Sequence, residues 1–280
     1  MTRSGINPIG YRPWTGERTR HLYRLYVMSR SIFAEKIRSK GVLILLFIGI
    51  ILVHAFPLIF KVLIPHEGLT SGDMIGGDSS IFGGGLFLLL TMLLAAVVTS
   101  DLISRDLSDN SFVLYFSRPI RPVDYLIGKV GGGFGIMSMF CLLPVMVFGI
   151  AIIATQSGSD YLASLEVLGL SLVAGALTSL FFLGFGMMLS SITRSRAYAG
   201  VGTFVSFFVL SIISGVFSNV DPNWQLANPF NLLQYTYGII FGEGLPEELL
   251  PGLYWAVLIS ILVVPLLLAY WRIYSKAVGK

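Results

Sequence analysis

The sequence predicts an all-α protein that crosses a membrane several times, on three observations. Of its 280 residues 55% are hydrophobic and only 12% charged, with a mean hydropathy of +0.80, whereas soluble domains carry about 25% charged residues. Apolar runs long enough to cross a ~30 Å hydrocarbon core as a helix recur at 41–60, 81–100, 126–155, 167–190, 198–217 and 253–274. With these drawn as six spans, all but one of the 19 Lys and Arg residues fall on the same side. Cytoplasmic loops concentrate Lys and Arg, so that side is expected to be the cytoplasm, with both termini in it and the chain a multi-pass protein of the cell (plasma) membrane.

The same placement removes nucleic acid as an expected partner. The net charge of +4 arises where membrane insertion puts basic residues, and membrane lipids are their expected neighbours. Cys141 is the single cysteine, so no intrachain disulfide can form. The first forty residues are polar and basic, so no cleavable signal peptide is expected and the first apolar run reads as a retained signal anchor. No long-period repeat or low-complexity tract interrupts the chain.

In chain order, residues 1–40 form a cytoplasmic tail carrying Arg3, Arg12, Arg18, Arg20, Arg24, Arg30, Lys36, Arg38 and Lys40. Within it, 20–39 reads as an amphipathic helix. Leu22, Leu25, Tyr26, Ser29, Ile32, Phe33 and Ile37 share one face, and Arg24, Ser31, Glu35 and Arg38 oppose it. Such a helix lies in the cytoplasmic interface, as an anchor or as a docking element. Residues 41–280 form the transmembrane domain. The first span carries His54 with Pro57 after it, and Lys61 beyond it is the one base on the outer side. An intramembrane His is a functional candidate, and a neutral His bonded to a neighbouring helix is its plainer reading.

The third run is long enough to tilt or to begin as an interfacial helix. Its glycines 128/132 and 131/135 have G-x-x-x-G spacing, which permits close helix approach within one chain or between two. Met137, Met139, Cys141 and Met146 have the softness to handle copper, but Met139 is off the shared face and Met is a common packing residue. Arg194 and Arg196 mark the turn after the fourth span. Between the fifth and sixth spans, 228–244 is apolar but too short to cross: Asn228 suits a cap, Pro229 the first helical position, and Gly242 the end. Short outer helices are expected there, with Pro246-Glu247-Glu248 able to start another. The acidic residues Glu67, Asp73, Asp78, Asp160, Asp221, Glu243, Glu247 and Glu248 lie on this outer side. Trp255 and Trp271, ~24 Å apart at helical rise, mark the two interfaces of the last span.

The polar loop between the second and third spans, 101–129, carries the functional signal. Its charges alternate in sign, and Pro119 and Pro122 break any continuous helix. A short cytoplasmic helix over 108–116 is expected, with Phe112, Leu114, Tyr115 and Phe116 seeking burial. Here the residues resemble a known family. Asp106, Asn110-Ser111, the apolar stretch from Phe112 to Phe116, Ser117-Arg118-Pro119-Ile120 and Leu126-Ile127-Gly128-Lys129 follow the pattern of ABC-2 type transporter permeases: an acid, a Gly-Thr-like pair, an apolar helix, a Ser-x-Pro turn, then Gly-Lys entering helix three. The likeness is greatest to the group that includes the nitrous-oxide-reductase maturation permease, and it extends to the whole layout. Asn110-Ser111 departs from Gly-Thr.

The resemblance implies the non-catalytic permease subunit of an ATP-binding-cassette exporter, paired with a second copy or a homologue and clasped by cytoplasmic ATPases. The chain has no P-loop of its own, because Gly128-Lys129 is followed by Val130. ATP and Mg2+ would sit on the partner ATPase, and no cofactor or metal is expected in this chain. The loop would be the coupling element: Phe112, Tyr115 and Phe116 filling an apolar cleft on the ATPase, Arg105, Asp106 and Arg118 forming rim pairs, Asn110, Ser111 and Pro119 shaping the backbone. In such permeases helices one, two and five face the pathway, which makes His54, Thr91, Met92, Ser206 and Ser211 its candidate lining. The apolar spans suit a hydrophobic or amphiphilic cargo. An ATPase-coupled anchor or sensor without cargo is the alternative, and a membrane-embedded enzyme a further one. The spans lack paired acids on one face and any His-Glu-x-x-His.

Overall fold

A computed structural model describes residues 20–55, 85–116, 120–155 and 160–277, and among them the chain is helical without strands. Helix α1 spans His21–Ile37 and α2 spans Lys40–Gly49, continued by a π-helical stretch over Ile50–Ala55. Helix α3 (Gly85–Thr99) leads into the short helices α4 (Ser104–Ser108) and α5 (Phe112–Phe116). There follow α6 (Pro122–Cys141), α7 (Leu143–Thr155), α8 (Asp160–Ile192) and α9 (Arg196–Phe217). A 3-10 turn over Pro222–Ala227, α10 (Pro229–Ile240) and α11 (Pro251–Ala277) complete the order.

Four stretches are long and apolar enough to cross a membrane: Gly85–Ser108, Ser164–Ile192, Arg196–Phe217 and Pro251–Lys276. They become five if α1 and α2, bent by 78° at their junction, count as one broken span. The basic tail ahead of residue 20, residues 56–60 of the first expected span and 81–84 of the second lie outside the described residues. The expected third span, 126–155, is divided at Leu142 into α6 and α7. Pro144 explains the division, because it has no N–H for the Phe140 carbonyl and its ring crowds that carbonyl.

Helix α8 is the central pillar, packed against α11, α6, α7, α9 and α3. Close approach to it relies on small residues. A Cβ on Gly175 would meet the Cys141 backbone carbonyl at 2.7 Å, and one on Gly133 would meet the Leu183 side chain at 2.6 Å. Around α8 the buried rings of Phe87, Phe140, Phe181, Phe182 and Phe207 form the main core. Two of the core hydroxyls bond within their own helices, Thr99 and Thr203 donating to the carbonyls four residues back at 2.7 and 2.8 Å.

Helix α1 lies along α6. The stripe Gly128, Gly131, Gly132 and Gly135 receives Met28, Ser29, Ile32 and Phe33, so both G-x-x-x-G spacings are occupied within one chain. The seat covers the Ser29, Ile32 and Phe33 part of the expected apolar face together with Lys36, and leaves its N-terminal residues Leu22 and Tyr26 76% and 59% exposed. The missing side chains at these glycines let Met28, Ser29, Ile32 and Phe33 sit close against α6.

At the far end of the sequence Asn228 caps α10, its side chain accepting from the Phe230 N–H at 3.0 Å. Gly242, at φ +89°, follows the helix end in a conformation open to glycine. Pro246-Glu247-Glu248 makes a turn, closed by the Leu249 N–H on the Pro246 carbonyl at 3.0 Å, and the next helix waits for Pro251. Tyr237 bonds Thr178 of α8 at 2.6 Å and Tyr254 donates to Thr236 at 2.8 Å, fastening α10 onto α8 and α11.

Candidate functional site

The segment joining α3 to α6 is compact because its backbone closes on itself. Helix α4 ends at Asp109, and Asn110 takes the left-handed conformation at φ +51°. The Ser111 N–H then reaches back to the Asp106 carbonyl at 3.0 Å, the bond that defines a Schellman ending. Asn tolerates this conformation better than other residues with a Cβ, so Asn110 does here what a glycine does at a helix end. The expected single helix over 108–116 is therefore two short ones, and only the second begins at Phe112.

The aromatic residues of α5 turn inward. Phe112 is buried, stacks on Phe116 at 5.8 Å and meets Tyr125 edge-on at 5.4 Å. Tyr115 and Phe116, half-buried, flank the same Tyr125 ring at 5.3 and 6.2 Å. Leu114 points outward, 72% exposed.

Charge pairs bind this segment to its neighbours. Asp106 is buried, and one oxygen, Oδ2, accepts from the Tyr125 hydroxyl at 2.5 Å and pairs with Lys129 Nζ at 2.8 Å. The Lys129 ammonium also lies 5.3 Å from the centroid of the Tyr125 ring. Arg105 pairs with Glu35 of α1 at 2.6 Å and more loosely with Asp109 at 3.8 Å. Lys36 of α1 contacts Asp101, and His21 at the start of α1 bonds Asp124 at 2.8 Å. Asp124 also accepts from the Arg121 N–H at 3.2 Å, which caps α6.

The electrostatics follow from these neighbours. Burial, with Asp106 facing its hydroxyl, raises Tyr125 well above the ordinary phenol range and keeps it a donor. Burial likewise raises Tyr115, with Asp106 and Glu35 adding to it. Burial pushes Lys36 down to about 7 against the pull of Glu35, and Lys129, Arg196 and Arg105 lower it further. The contacting Asp101 carboxylate opposes that loss of charge. For Asp124 burial acts upward, but the bonds from Arg121 and His21 hold it below its ordinary value on balance.

Between α1 and this segment lies a cleft of about 980 Å³. Tyr23, Val27 and Ile32 line one wall and Leu102, Tyr115 and Ile120 another, with Lys36, Asp101, Arg105, Asp106 and Lys129 among its charged residues. The expected coupling residues Arg105, Asp106, Ser111 and Tyr115 line it, and Phe112 and Phe116 form its aromatic support. Asn110 makes its turn, while Arg118 and Pro119 lie outside the described residues. Among the described residues no three His, Cys, Asp or Glu side chains gather to hold a metal ion.

The expected pathway residues separate into two groups. His54, Thr91 and Met92 are buried inside the single chain. The His54 ring sits edge-on to Phe140 at 5.3 Å and Phe87 at 6.1 Å. The Thr91 hydroxyl bonds the Phe87 carbonyl at 2.7 Å. Ser206 and Ser211 are half-buried on α9, and Ser211 contacts Asn228 at 2.9 Å.

Sequence reasoning overlooked His21, Glu35, Lys36, Asp101, Asp124 and Tyr125 as parts of this site. Lys36 could have been found: it lies four and seven residues after Ile32 and Ser29, on the face those residues were assigned to. Tyr125 had no local signal, because its role depends on two short helices folding back over it.

Compared with protein families, residues 28–277 match the model of a family described as ABC-2 family transporter protein. No curated protein matches the chain.

Proposed function

The chain belongs to the ABC-2 family of transporter proteins, a membrane permease component, and from that premise we propose that it is the transmembrane subunit of an exporter driven by a separate cytoplasmic ATPase. The proposed topology has six spans: α2 with the residues after it, α3, α6 with α7 as one broken span, α8, α9 and α11. The segregation of Lys and Arg supports both termini in the cytoplasm of a cell membrane. Two copies, or one copy and a homologue, enclose the pathway, and the ATPases below carry ATP and Mg2+. Ser206, Ser211 and the exposed apolar side of α9 support a hydrophobic or amphiphilic cargo; His54, Thr91 and Met92 would reach it only through rearrangement of the core.

The α4–α5 segment is the proposed coupling element, and the single observation that carries this is Leu114. A leucine 72% exposed on a segment braced by a buried ion pair and an aromatic cluster offers apolar surface to an ATPase, and its full burial is worth about 1.5–3 kcal/mol. Tyr115 and Phe116 then act chiefly by holding α5 on Tyr125, with Arg105 at the rim.

Mild extraction of the tagged chain, followed by mass spectrometry, tests the proposal. The expected result is a stoichiometric ATPase that is lost in Leu114→Glu while the permease still folds, and an ATPase uncoupled from transport in Tyr115→Ala with Phe116→Ala. A chain that always purifies alone, or a Leu114→Glu variant with full coupling, overturns it.

A further inference from the structure

We propose that Asp106 and Lys129 form the mechanical joint of this permease, so that the α4–α5 segment and the first turns of α6 move as one body and carry the interface helix α1 with them. The proposal rests on the ATPase-coupled reading above and names the residues that would transmit the movement.

A single carboxylate oxygen does the joining. Asp106 Oδ2 takes the Tyr125 hydroxyl at 2.5 Å and the Lys129 ammonium at 2.8 Å, groups one helical turn apart on α6. Both charged partners are buried, 8% exposed each. A mostly buried pair of this kind resists being pulled apart, because each charge is largely desolvated and loses its direct partner on separation; an exposed pair such as Arg105 with Glu35 carries little such penalty. The rings of Phe112, Tyr115 and Phe116 close over Tyr125 and resist sliding along α6.

Helix α1 is bound to the same turns. Its Ser29 hydroxyl donates to the Gly128 carbonyl at 3.1 Å, directly beside Lys129, and its Ile32 fills the notch at Gly132. His21 to Asp124 and Lys36 to Asp101 fasten the two ends of α1. A helix held along its whole length in this way cannot stay behind as a passive membrane anchor when α6 tilts.

The test uses the full chain in lipid nanodiscs with the ATPase that co-purifies. Spin labels are placed on cysteines replacing Asp109, exposed on the α4–α5 turn, and Ile127, exposed on α6; Cys141 is buried and stays unlabelled. The unaltered joint should give one narrow distance that ATP with vanadate does not shift. Asp106→Asn combined with Lys129→Met removes both charges and orphans neither; it should add a second distance peak and make the separation respond to nucleotide. Exchanging the charges, Asp106→Lys with Lys129→Asp, should restore the single peak. A nucleotide-dependent shift in the unaltered joint, or a neutral pair as rigid as the charged one, overturns the proposal. If no ATPase co-purifies, the coupling reading fails, and peak width without nucleotide still decides whether the joint is rigid.

Discussion

Asn110 illustrates how much one backbone angle can decide. Its φ of +51° ends α4, starts α5 and aims Phe112 inward. A left-handed conformation costs most residues about 1–2 kcal/mol, and glycine nothing. Asn110→Gly should therefore leave the melting temperature in detergent unchanged, while Asn110→Val should lower it and detach α5. An unchanged melting temperature in the valine variant would show that the turn can close another way.

His54 makes a second case. Its imidazole is buried, edge-on to Phe140 and Phe87. His54→Ala should destabilise the chain by about 2–5 kcal/mol, the range for emptying a buried side-chain site, in the same thermal assay; an unchanged melting temperature would show that the rings close over the space. The Asp124 carboxyl provides a pH dependence. Its folded value lies below the ordinary one, so its contribution is present above about pH 3.9 and is lost as pH falls through the depressed value. The stability difference between the native chain and Asp124→Asn should accordingly persist at neutral pH and close on strong acidification; a gap that is constant with pH would assign it to packing.

Among elements, the contact of α1 with α6 depends on four glycines that are not equivalent. A Cβ on Gly132 would meet Ile32 Cβ at 2.6 Å and the Ser29 backbone carbonyl at 3.0 Å, atoms that cannot turn away. A Cβ on Gly131 meets the Ser29 hydroxyl at 2.6 Å, which can rotate. Overpacking of the first kind costs about 1–3 kcal/mol. Gly132→Ala should raise amide exchange throughout α1, and Gly131→Ala should raise it little. Equal protection in both variants would mean that α1 is held by its charged ends and not by the glycine seat. The sequence showed the stripe but not its occupant, because G-x-x-x-G spacing states how near a helix can come and nothing about which helix.

For the whole molecule the testable claim is topology. Cysteines replacing Leu162 and Glu243 should react with an impermeant thiol reagent in intact cells, and a cysteine replacing Leu114 only after permeabilisation. Labelling of position 114 from outside would invert the proposed orientation and remove the cytoplasmic coupling role with it. The central place of α8 was not legible beforehand: its apolar run resembles those of α9 and α11, yet α8 is surrounded while the other two leave long apolar faces outward.

What the sequence by itself determined is what local composition controls: an all-helical chain, the place of most of its described helices, and the helix ends at Asn228 and Gly242. These follow from hydrophobic length, charge and residue geometry, each a property of a few consecutive positions. Only the tertiary structure decided that Asp106 faces Lys129 and Tyr125, that Phe112 packs inward while Leu114 does not, and that α1 is the helix that fills the α6 glycine stripe. Those choices balance desolvation, ion pairing and close helix approach among side chains that the fold, and not their order along the chain, brings together.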